Sequence, residues 1–108
     1  MMDFEEYIDV NKDEIPYSME IDLGGEVFEI EFNYNRAYDF FTVDLFKEGE
    51  VLVIGEKLIL NRPLFRNRVN LDLPKVNIIP IDRAGVADRI SFNNLNETVF
   101  LYVGELIE

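Results

Sequence analysis

The sequence predicts an all-β fold: a small single-domain barrel or sandwich of about six to seven short antiparallel strands. Three observations carry this. Apolar and polar residues alternate at a period of two in one segment after another, turn residues separate those segments, and no long helical period appears. At 108 residues, 48% of them hydrophobic and 30% charged, the chain has material for one modest core and one domain.

The elements follow in chain order. Residues 1–14 read as an acidic N-terminal arm, and 15–108 as the β domain. Phe4, Tyr7 and Ile8 have the spacing of one amphipathic helical turn, and an arm that orders only against a partner fits equally. From Ile15, apolar Ile15, Tyr17, Met19, Ile21 and Leu23 alternate with Pro16, Ser18, Glu20 and Asp22, which is the pattern of a half-buried strand. Gly24-Gly25 forms a two-residue hairpin turn, since glycine takes positive φ without steric cost. The next strand runs from Glu26 to about Tyr34. With the two glycines as the loop, Ile21 faces Phe28, Met19 faces Ile30, Tyr17 faces Phe32 and Ile15 faces Tyr34. A slip of one residue would pair apolar with acidic side chains throughout. The same register sets Glu20 opposite Glu29, a destabilising pair unless that face is wet or meets a basic partner.

Asn33-Tyr34-Asn35-Arg36-Ala37 ends the hairpin, and Phe40–Phe46 reads as a third strand. Val51–Ile54 is a fourth, stopped or bulged at Gly55, with Lys57–Leu60 as a further short strand. Residues 61–75 are irregular and hold the one basic cluster, Arg62, Arg66 and Arg68. Lys75–Ile81 is a strand whose Pro80 argues for an edge position. Residues 82–94 read as loop with room for one helical turn, and Thr98–Val103 is the last strand, rich in β-branched and aromatic residues.

Composition excludes several function classes. With no cysteine there are no disulfides, thiolate metal sites or cysteine nucleophiles; with no histidine the usual general base and commonest metal ligand are missing. No apolar run approaches the roughly 18–20 residues of a membrane helix, and the acidic start Met1-Met2-Asp3-Phe4-Glu5-Glu6 does not read as a signal peptide. The expectation is a protein with no catalytic residues, no cofactor and no metal. Carboxylates are plentiful, but acid–base work needs one of a pair in an apolar setting, and most acids here fall on alternating wet positions. Asp9, Asn11, Asp13 and Glu14 resemble the start of a calcium loop without the glycine at its sixth position. Gly24-Gly25 is explained by the hairpin and no phosphate-binding loop is present.

The net charge of −12 is uneven. Residues 1–31 hold 11 acidic residues and one basic, a net of −10, whereas residues 32–108 hold 11 acidic and nine basic, a net of −2. Such a field repels nucleic acid, and Phe28, Ile30 and Phe32 are interleaved with Glu29 and Glu31 rather than with cations, so direct nucleic-acid binding is not expected. The acidic third suits a basic protein partner, a surface to which DNA must not stick, or simple solubility. Glu20 and Glu29 on one side, and Arg62, Arg66 and Arg68 on the other, are the candidate protein-interface residues; in a homo-oligomer the two surfaces could meet.

The order of features resembles a known family. Ile15-Pro16 leads into Leu23-Gly24-Gly25, and the following strand ends in Tyr34-Asn35-Arg36. An aromatic-led strand, Phe40-Phe41-Thr42-Val43-Asp44-Leu45, is next, then Gly55-Glu56-Lys57-Leu58 and Asn61-Arg62-Pro63-Leu64. The chain closes on Leu95-Asn96-Glu97-Thr98-Val99-Phe100-Leu101-Tyr102-Val103. Over about residues 15–103 this resembles the baseplate plug proteins of bacteriophage and prophage tails, described for contractile cyanophage tails. Two departures stand out: Asn96 occupies a place where glycine is expected, and the aromatic leading the third strand, often tryptophan, is phenylalanine. Asparagine also tolerates positive φ.

The resemblance implies a non-enzymatic structural protein of the virion, made in the bacterial host cytoplasm and placed at the tail tip. There it would join the tail tube or hub to the central spike and help close the channel, as a homo-oligomer, a trimer, around the tail axis. No membrane role is implied, and the acidic arm 1–14 is not a family feature. The competing expectations are an acidic binding module, such as a phage DNA mimic that inhibits a host nuclease, and another accessory tail or capsid protein.

Overall fold

The computed structural model describes residues 6–66 and 72–105. Among them are seven strands: β1 (Glu6–Ile8), β2 (Tyr17–Leu23), β3 (Glu26–Asn35), β4 (Phe40–Lys47), β5 (Glu50–Lys57), β6 (Val76–Asp82) and β7 (Val99–Glu105). They form two antiparallel sheets, ordered β2-β3-β4-β5 and β1-β7-β6. The sheets do not close into a barrel, so of the two expected architectures the sandwich is the one adopted.

Period-two patterning explains the core. Phe28, Ile30 and Phe32 of β3 alternate with Glu29 and Glu31, and Phe41, Val43 and Leu45 of β4 alternate with Thr42 and Asp44. The six apolar side chains are fully buried and meet Ile8, Ile78, Val99 and Leu101 of the other sheet in one cluster. Each such burial contributes about 1.5–3 kcal/mol.

The β2–β3 hairpin has the expected register: Tyr17 opposite Phe32, Met19 opposite Ile30, Ile21 opposite Phe28, and Glu20 opposite Glu29. Both turn glycines have positive φ, 68° at Gly24 and 90° at Gly25. A Cβ on Gly24 would come within 3.2 Å of Val76 Cγ1, a tight contact that adds to the backbone's preference for glycine there. Ile15 departs from expectation. It does not pair with Tyr34, because β2 begins at Tyr17; the Ile15 N–H instead closes a 3₁₀ turn over Lys12–Glu14 by donating to the Lys12 carbonyl.

Two other segments differ from the sequence reading. Lys57–Leu60 is not a separate strand. β5 runs on through Gly55 to Lys57, absorbing register shifts opposite Val43, Leu45 and Phe46, with Gly55 at φ 72° donating its N–H to Asp44 Oδ1 at 2.7 Å. Leu58 then leaves the strand, buried and bonded through its N–H to the Phe41 carbonyl. Nor is the stretch from Glu6 to Ile8 helical: it is β1, with Tyr7 opposite Tyr102 and Ile8 opposite Leu101. β7 would otherwise be an unpaired edge, and Ile8 and Val10 reach the core at 3% and 2% exposure. Phe4 lies outside the described residues.

Pro80 sits on an edge strand, as its missing N–H requires: β6 is outermost in its sheet. The flanking segment covers that edge, with the Asn61 N–H on the Pro80 carbonyl at 2.7 Å and the Leu64 N–H on the Ile78 carbonyl at 2.8 Å. The irregular stretch 83–90 is organised by the Asp82 carboxylate at the end of β6, which accepts the N–H groups of Ala84, Val86 and Ala87.

Candidate functional site

The sandwich has two outer faces of opposite chemistry. On the four-stranded sheet, strand alternation turns Ser18, Glu20, Asp22, Glu29, Glu31 and Asp44 away from the core. Glu20 lies opposite Glu29, and Glu31 lies between Ser18 and Asp44. Like charges placed directly across a ladder destabilise it by a few tenths to about 1 kcal/mol per pair. Among the described strand positions on this face the cation is Lys57, at one corner opposite Thr42 with its ammonium 4.7 Å from the Phe40 ring. Val27 and Val51, each more than half exposed, and Phe46 opposite Val51 form an apolar margin at the other end.

The outer face of the three-stranded sheet is aromatic. Tyr7 packs on Phe100 at 4.6 Å and on Tyr102 at 6.1 Å, and the Arg83 guanidinium lies 4.4 Å from the Tyr102 ring. Tyr7 is 48% exposed and Tyr102 only 7%.

The structure brings two of the sequence-predicted residues together, Glu20 and Glu29, both exposed. Arg62 and Arg66 are exposed on the segment that borders β6. The Arg66 guanidinium reaches back to its own chain, donating to the carbonyls of Leu64 at 3.3 Å and Pro74 at 3.4 Å. Arg68 lies outside the described residues. Of the calcium-like run, Asp9 accepts the Asn96 side-chain amide at 2.8 Å, and the Asn11 N–H goes to the Tyr17 hydroxyl.

Three side chains that tie loops together were not singled out from the sequence as such. Asp39, at φ 55°, takes the Tyr34 hydroxyl at 2.7 Å, the Phe92 N–H at 2.8 Å and the Arg89 guanidinium at 2.7 Å. It thereby joins the β3–β4 turn to the segment before β7. Those bonds, the Tyr34 hydroxyl first, hold its carboxyl at about 2, and the same contact raises the Tyr34 phenol. Asp82 is lowered by its backbone bonds, that from Ala87 foremost. Asn96 has φ 63°, so the asparagine takes the left-handed backbone for which glycine was expected. It does more than glycine can: its Oδ1 accepts the Val10 N–H at 3.2 Å while its amide bonds Asp9, clamping the N-terminal segment onto the sandwich. Val10 and Asp9 on Asn96, and Phe92 and Arg89 on Asp39, are distant in sequence, and of these contacts only the Asn96 departure gave a local signal; Tyr34 on Asp39 and the N–H groups on Asp82 come from within five residues.

A cleft of about 630 Å³ lies between the 3₁₀ turn and the β3–β4 region, lined by Lys12, Ile15, Asn33, Tyr34, Arg36 and Phe92. The Tyr34 hydroxyl is committed to Asp39, and the Lys12 ammonium to the Phe92 carbonyl, with Glu97 at 3.7 Å. The remaining shifted pair, Glu26 lowered and Lys47 raised, are each other's partners at 2.8 Å. Among the described residues, then, each shifted group has a structural partner that accounts for its shift.

A search of curated proteins finds no match. A family model does match, described as cyanophage baseplate Pam3 plug gp18, and it covers residues 5–106. That span takes in all seven strands, the turn glycines and both outer faces, including the N-terminal strand that the resemblance alone did not reach. The chain therefore belongs to the baseplate plug family of phage tails, whose members are structural components of the virion.

Proposed function

We propose that the protein is a non-enzymatic joint in a phage or phage-like baseplate, linking the tail tube or hub to the central spike and helping to close the channel. The observation that carries this reading is the family match over nearly the whole chain. The physical character supports it. The domain is a small sandwich, the Asp39 and Asp82 carboxylates hold its loops, and its two outer faces differ in chemistry, which suits a part seated between unlike neighbours. In this reading Glu20 and Glu29 face a basic partner, and Arg62, Arg66 and Arg68 face an acidic one. Synthesis in the host cytoplasm and a trimer around the tail axis follow from the same role.

The test is mass spectrometry of purified tail particles, with antibody labelling under the electron microscope. The expected result is a few copies per particle with label at the tail tip. Absence from particles, with the protein left free in the lysate, would overturn the reading and favour an acidic inhibitor that mimics DNA. Label elsewhere on the particle would make it an accessory tail or capsid protein.

A further inference from the structure

The sandwich has four sheet edges, and three are blunted. β1 has three residues among those described. β6 has its outer edge bonded by the Asn61 and Leu64 N–H groups. β5 is distorted by register shifts and Gly55. These are the usual devices that stop a sheet from growing. β2 is neither short, covered nor distorted, and its one guard is the exposed charge of Glu20 and Asp22, which repels an acidic strand and not a basic one. It runs seven residues in unbroken register with β3, without proline, lysine or arginine. Among the described residues no backbone hydrogen bond reaches its outer side. In an antiparallel ladder alternate residues point their N–H and C=O away from the partner strand, so this edge presents a row of unmade bonds.

We propose that the outer edge of β2 accepts an extended segment of another protein, one alternating apolar with basic residues, as a fifth strand of the β2-β3-β4-β5 sheet. The side chains on β2 define that partner. Tyr17, Met19 and Ile21 are half-buried at the margin of the core, so the incoming strand covers them with apolar side chains. Ser18, Glu20 and Asp22 are exposed on the other side, with Glu29 directly behind Glu20, so the alternate residues must be cations. A second copy fits poorly: antiparallel pairing of β2 with β2 would crowd Glu20 and Asp22 of both chains together, in a protein already at −12. The proposal deepens the reading of the Glu20–Glu29 face as partner-facing and gives it a mode of attachment.

The experiment uses the full chain, isotopically labelled, and a blocked peptide alternating Lys or Arg with Val or Ile. Amide exchange and chemical shifts are followed along β2. Two further peptides carry N-methyl groups on either the odd or the even residues, each removing the hydrogen bonds of one peptide edge. The expected result is slowed exchange at alternate β2 amides and binding of one N-methylated version but not the other. An Asp/Glu counterpart should not bind, and Glu20→Lys should weaken the basic peptide about tenfold. Equal binding of both N-methylated versions would overturn strand addition while leaving a partner-facing acidic surface. Absence of binding by any peptide would overturn both. Concentration-dependent dimers with protected β2 amides and no peptide would assign the edge to a second copy instead.

Discussion

The two sheets of the sandwich are built in opposite ways. The four-stranded sheet is a meander in which each strand pairs with the next along the chain. The three-stranded sheet pairs the first strand with the last, and both members come from opposite ends of the described chain. Local turns place the first sheet's strands, whereas the second depends on bringing distant segments together. Its stability therefore concentrates at the few side chains that make the closure: Ile8 and Val10 in the core, Asn96 over the N-terminal segment, and Asp39 at the neighbouring loops.

The core the sheets share sets the upper scale. Phe41 is fully buried, with the Tyr34 ring at 4.8 Å, and Phe41→Ala should cost about 3–5 kcal/mol in chemical denaturation. Ile8→Ala tests the closure itself. As a core residue on β1 it should cost about 2–4 kcal/mol; a loss near zero would mean that the N-terminal segment is an appendage and that β7 is stable as an edge.

Asn96 separates backbone from side-chain effects. Asn96→Gly keeps the left-handed backbone and removes the bonds to Asp9 and Val10, for an expected loss of about 1 kcal/mol. Asn96→Ala removes the bonds and adds strain at positive φ, for about 2 kcal/mol. In both variants amide exchange at Val10 should rise more than in β3. Equal destabilisation by the two would show that the side-chain clamp, not the backbone, decides this position.

Asp39 links the β3–β4 turn to the loop before β7, and its contribution depends on pH. Its folded carboxyl titrates at about 2, below the ordinary 3.8, so its stabilisation is present in full above the ordinary value and is lost as pH falls through that interval towards 2. Thermal melts from about pH 5 to about pH 2 should show a shallower fall for Asp39→Asn than for the parent chain. Asp82 and Glu26, also lowered, keep the fall from vanishing. An unchanged slope would remove Asp39 from the closure.

The same division decides what the sequence made readable. The β2–β3 register follows from the Gly24-Gly25 turn and a strict alternation, because a slip would bury Glu20, Glu29 and Glu31. β1 has three residues, and the spacing of Phe4, Tyr7 and Ile8 suits a helical turn as well as a strand; only Tyr102 and Leu101, almost a chain length away, decide between them. The Asp39–Arg89 pair has no local mark at all, since its geometry exists only once both loops are placed. Of the candidate interface, Glu20 and Glu29 were readable because pairing across one hairpin is a local property. The chemical contrast between the two outer faces was not, since it needs Tyr7 set beside Phe100 and Tyr102.

The smallest predicted effect is the one most specific to the acidic face. Glu20 and Glu29 are exposed and directly opposed, so Glu20→Lys replaces a repulsion by an attraction without touching the core. The variant should gain about 0.5 kcal/mol at low salt, and the gain should shrink as salt screens the pair. Chemical denaturation at two ionic strengths measures it. A domain shaped only for its own stability would not keep two glutamates across this ladder, because one substitution removes the cost. A gain in the isolated chain, paired with weaker docking of a basic strand, would show that the repulsion is maintained for a partner. No gain would mean that the carboxylates are already far enough apart in water to ignore each other, and the face would lose its claim to being held in tension.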